Sequence, residues 1–71
     1  MKLRWERARQ GMSRGFADDG QQLAQVAHVL GPGGEDRGWM VWLLHRPREL
    51  FDRHPTMELA MEAAEAALDS G

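Results

Sequence analysis

The chain has no Cys, Tyr, Ile or Asn, and a single Lys against eight Arg. Without Cys there is no disulfide framework, no thiolate zinc site and no cysteine nucleophile. No apolar run approaches the roughly 18–20 residues of a membrane span, and the N-terminus lacks the apolar stretch of a signal peptide. These absences predict an intracellular, cytoplasmic protein. Large apolar side chains are also scarce: of 71 residues 30 are apolar, and nine of those are Ala. So thin a core excludes a cofactor-burying fold such as a Rossmann domain or a barrel. It predicts one small domain over residues 1–71, of modest stability. The Arg excess and the missing Ile and Asn read as the codon bias of a GC-rich genome, which makes Arg abundance a weak pointer to phosphate. A net charge of −2 argues against a general nucleic-acid binder.

Period-two alternation from Lys2 to Arg9, with Leu3 and Trp5 on one side, reads as a half-buried strand. A second short strand over 12–17 is a candidate between Gly11 and the turn signal Asp18-Asp19-Gly20. Residues 21–30 follow as a strand that carries two β-branched Val between turn signals. Four Gly and one Pro in Gly31–Gly38 predict a long, mobile loop. The run Trp39-Met40-Val41-Trp42-Leu43-Leu44 reads as a strand over 38–45, with Trp39, Val41 and Leu43 on one face and Met40, Trp42 and Leu44 on the other. Residues 45–55, bounded by Pro47 and Pro55, read as a connection that Leu50 and Phe51 pin to the core. From Thr56 the period becomes helical. Thr56 suits an N-cap, Glu58 complements the dipole, and Met57, Ala60, Met61, Ala64 and Leu68 form a stripe. The expected fold is α+β: an antiparallel meander of three or four strands closed by one C-terminal helix over 56–69.

Catalysis has little to stand on. Ser13, Ser70 and Thr56 lie in no nucleophile setting, and the adjacent Asp18 and Asp19 read as a solvated turn. Gly31-Pro32-Gly33-Gly34 is not followed by the Gly-Lys-Ser/Thr of a phosphate loop. His28, His45 and His54 stand at unconstrained spacings, so no metal site is expected. The chain is expected to be no enzyme, with no cofactor and no small-molecule substrate.

Three surfaces remain. Glu58, Glu62, Glu65 and Asp69 fall within a sector of the helix about 60° wide. No Lys or Arg lies between Pro55 and Gly71; that segment carries −4 and residues 1–54 carry +2. Like charges at i,i+4 repel by a few tenths of a kcal/mol each. The stripe is either a solvated face partly paired with Arg or a docking face for a basic partner. Trp39 and Trp42 supply the second surface: one side of a sheet with a single helix meets water, which invites a partner or a dimer seam. Arg46, Arg48 and Arg53 with His45 and His54, alongside Arg4, Arg7, Arg9 and Arg14, supply the third, which suits phosphates, although Glu49 and Asp52 interrupt it.

Trp5, Asp19-Gly20, Gly38-Trp39, Thr56 to Ala60 and Ala63-Ala64-Glu65 together give an outline that resembles a loose group of small stand-alone phage, prophage and bacterial proteins. That resemblance implies a protein of mostly unknown function, in some cases an inhibitor of host defence of the anti-CRISPR type. The β-β-β-α order is also similar to the arm-binding domain of phage-type integrases, which lays its sheet on DNA; an acidic balance and the lack of an attached catalytic domain set this chain apart. The expectation that follows is a non-catalytic protein-binding module, plausible as a phage inhibitor. In it Glu58, Glu62, Glu65 and Asp69 meet a basic protein surface and Trp39 and Trp42 add apolar contact or self-association. The alternatives are a nucleic-acid binder using Arg46, Arg48 and Arg53, and an accessory subunit that only associates.

Overall fold

A computed structural model of the chain describes residues 1–44 and 48–69, with the backbone path alone for 48–52. Five strands, β1 (Arg4–Arg9), β2 (Met12–Phe16), β3 (Gln22–Leu30), β4 (Asp36–Leu43) and β5 (Arg48–His54), precede one helix, α1 (Met57–Asp69). Every neighbouring pair is antiparallel and the spatial order equals the sequence order, so the sheet is a plain meander. The class is α+β with the helix packed on the sheet. Thr56 caps α1 as its residue type suggests: the Leu59 N–H donates to Thr56 Oγ1 at 3.2 Å.

The strand count corrects the expectation of three or four. Residues 48–54, expected as part of a connection, form β5 and pair with β4 through Val41↔Leu50, Trp42↔Glu49 and Leu43↔Arg48. Leu50 and Phe51 are consecutive and charges surround them, so no alternation marks the segment. An edge strand needs only one ladder and tolerates charge, and pairing with β4 makes it a strand. The loop after β3 is also shorter and more closed than its glycines suggest. The Gly34 N–H donates to Gly31 O at 2.9 Å and the Gly31 N–H to Glu35 O at 2.8 Å. The Glu35 carboxylate accepts from Gly33 N–H at 2.9 Å and from Arg37 at 3.2 Å. Local hydrogen bonds thus take up the backbone polarity that a loose loop would leave to water.

The core lies between β3, β4 and α1. Ala24 and Val26 of β3, Val41 and Leu43 of β4, and Ala60 and Ala64 of α1 are buried, joined by Leu3 from ahead of β1. Alanine on both sides of the contact lets helix and sheet approach closely. Gly15 of β2 extends the same logic. It is paired directly with Trp5, and a Cβ there would stand 3.0 Å from two Trp5 ring carbons and 2.8 Å from Leu3 Cδ1. The missing side chain is the space that Trp5 and Leu3 fill. Gly38 serves β4 differently: at φ +89°, with the His54 carbonyl 2.9 Å from where a Cβ would be, only Gly fits the irregular start of the β4–β5 ladder.

Candidate functional site

The acidic stripe of α1 divides in two. Glu65 is half-buried, and its Oε2 accepts from the Leu3 N–H at 2.7 Å and from Trp5 Nε1 at 3.3 Å. Asp69 pairs with the Met1 amino group. These two carboxylates hold the N-terminal segment, so an oxygen that the helix periodicity offers to a partner is spent within the chain. Glu58 and Glu62 remain exposed on the outward side. Beside them the helix presents Leu59, 43% exposed, with exposed Ala66 and half-buried Ala63. At i, i+4 and i+7 these three form an apolar strip along the acidic one.

The two tryptophans do not share a surface. Trp39 is on the helix side and packs against the core. Its ring stacks on His28, its cross-strand partner, with centroids 4.6 Å apart and planes 12° apart. His28 Nε2 lies 2.8 Å from Asp36 Oδ1, which also accepts the Gly38 N–H at 2.8 Å. The Gly38 bond first, and His28 second, hold the Asp36 carboxyl below the usual carboxylate range. The bond of Glu35 with its own backbone, then Arg37, lowers Glu35 in the same direction. This corner fixes where β4 starts. There His28 is bonded to Asp36 on one side and stacked on Trp39 on the other.

Trp42 points the other way. In the ladder, Glu6, Arg14, Gln25, Trp42 and the Glu49 position lie in one row across all five strands. Met12, Ala27 and Met40 form the next row, and a bulge in β1 brings Arg9 level with Met12. On the other side of Trp42's row, Arg4 stands opposite Phe16 with its guanidinium 5.4 Å from the ring centroid, and Arg4 also pairs with Glu6 at 3.1 Å. Met12, Phe16, Ala27, Met40 and Trp42 are each half-buried, and among the described residues no element packs on this face. It is an apolar centre with Arg4, Arg9 and Arg14 on its β1–β2 side. The sequence signal was there in Met12-Ser13-Arg14-Gly15-Phe16, whose alternation sorts Met12, Arg14 and Phe16 to one face once the segment is a strand.

The Arg cluster read from 46–53 is not assembled among the described residues. Arg46 and His45 lie outside them, Arg48 opens β5, and exposed Arg53 reaches the Arg37 carbonyl at 3.5 Å. Among the described residues no three His, Cys, Asp or Glu side chains come together as metal ligands, and no helix is long and apolar enough to cross a membrane. An open hollow of about 550 Å³ lies at the β1–β2 turn, between Arg9, Gln10 and His28. Its histidine is already bound to Asp36. No family model, curated protein or solved structure matches the chain.

Proposed function

We propose that the chain is a non-catalytic protein-binding module whose contact surface is the open face of the sheet. One observation carries the reading: the face away from α1 keeps Met12, Phe16, Met40 and Trp42 half-buried with nothing described above them, and places Arg4, Arg9 and Arg14 along one side. An apolar centre with a charged margin is the anatomy of a protein interface, with Trp and Arg as its strongest anchors and Met as its adaptable filler. The margin is cationic, so the partner it fits is an apolar ridge flanked by carboxylates. The helix stripe, expected to meet a basic partner, has two of its four carboxylates engaged within the chain and is the weaker candidate. The outline shared with small phage proteins suits the same reading, because an inhibitor of that kind works by occupying a surface.

A second reading keeps one specific support: Arg4 over Phe16, and Arg14 in the row of Trp42, could serve bases and phosphates. Against it, among the described side chains only two aromatic rings lie on this face, two strands apart, and Glu6 lies among the cations. Tryptophan emission during titration separates the two. An acidic amphipathic helical peptide shifts the emission to the blue, and Trp42→Ala abolishes the shift. Binding of a single-stranded oligonucleotide instead, weakening linearly with salt on logarithmic axes, would put nucleic acid first.

A further inference from the structure

We propose that the partner of the open sheet face is the outer face of α1 in a second copy of the same chain, so that copies add head to tail. The inference rests on the reading of the open face as a protein-docking surface. Two exposed surfaces on opposite sides of the molecule complement each other. The sheet offers Met12, Met40 and Trp42 beside Arg4, Arg9 and Arg14; the helix offers Leu59, Ala63 and Ala66 beside Glu58 and Glu62. On each surface the apolar strip runs along a charged one: on the sheet three Arg outnumber Glu6, which pairs with Arg4, and on the helix both charges are negative. Size agrees as well: a helix of 13 residues is about 20 Å long, and β1, with Arg4 and Arg9 at its two ends, spans about 17 Å.

Symmetric pairings are disfavoured by the same charges. Sheet against sheet would bring Arg4, Arg9 and Arg14 of two copies together, and helix against helix would do so with Glu58 and Glu62. Only the unlike pairing joins opposite signs. Such an interface is heterologous, and because its two halves lie on opposite sides of the chain it continues rather than closing at two. The small footprint, with Ala supplying much of the helix side, makes the contact a weak one that concentration drives.

Sedimentation velocity over a concentration series tests this with charge-swapped variants at exposed positions. Wild type should show a mass that rises steadily with concentration and falls with salt. Arg14→Glu spoils the sheet side and Glu62→Arg the helix side, and each alone should lose at least tenfold in association. Mixed, the two should regain association, because the intact helix of one meets the intact sheet of the other and the two reversed charges face each other with opposite signs. Arg4→Glu with Glu58→Arg repeats the design should either variant fail to fold by circular dichroism. A monomeric wild type overturns the proposal, as does a variant that assembles like wild type or a mixture that stays monomeric. A monomeric wild type whose Trp42 still responds to the acidic peptide would overturn self-assembly while leaving the docking face in place.

Discussion

The two faces of the sheet come from the same strands and differ in what lies above them. On the helix side, Ala24, Val26, Val41 and Leu43 are closed off by Ala60 and Ala64, and polar atoms are few and matched; buried Ser13, for example, directs its hydroxyl to the Met57 sulfur at 3.6 Å. On the open side Met12, Phe16, Met40 and Trp42 stay half-buried beside exposed Arg4, Arg9 and Arg14. Ala and Val at the centre where the helix approaches, and Met and Trp on the side that no described element covers, mark a surface kept for a contact outside the fold.

That contrast breaks first if Val41 and Met40, adjacent in β4, prove equally costly to remove. Val41→Ala leaves a void beneath α1 and should cost about 2 kcal/mol in urea denaturation. Met40→Ala should stay within about 0.5 kcal/mol; a loss as large as that of Val41 would mean that the open face is covered. The helix repeats the contrast on a smaller scale. Glu65→Ala strands the Leu3 N–H and the Trp5 indole and should cost about 1–2 kcal/mol. Glu62→Ala should be neutral or stabilising by a few tenths of a kcal/mol, since it relieves repulsion from Glu58. Equal effects would return Glu65 to the solvated stripe. The smallest effect lies at the β3–β4 corner. A carboxylate held below its ordinary pKa adds stability that is present above the usual carboxylate range and is lost as pH falls through it. The melting temperature should therefore drop below about pH 4, and Asp36→Asn should flatten part of that acid limb. Identical limbs in melting curves against pH would exclude Asp36 as a contributor.

Most of the architecture is legible in the sequence because it is local. The alternation around Trp5, the two-sided run at Trp39–Leu44 and the change of period at Thr56 each announce their element. β5 is not legible, because its only support is the ladder with β4. The fate of the acidic stripe is hidden for a related reason. Helix periodicity sets Glu58, Glu62, Glu65 and Asp69 side by side, but the groups that claim Glu65 are 60 and 62 residues away in sequence. Likewise the run in β4 is apolar on both sides, so nothing in it says which Trp the helix covers. The helix side is the one on which Gly15 leaves room for Trp5, so that the indole comes within reach of Glu65.

The tie from Glu65 to Leu3 and Trp5 also governs the order of events in folding. Each hairpin of the meander closes over a short loop, and adding strands one at a time costs little chain entropy. The Glu65 tie closes a loop nearly as long as the chain. The expected outcome is that it forms late in assembly and opens early, so that β1 and the end of α1 lose hydrogen-exchange protection together. Strengthening or weakening it changes the rate of unfolding and leaves the rate of folding nearly untouched. A single carboxylate thus contributes to how long the folded chain persists.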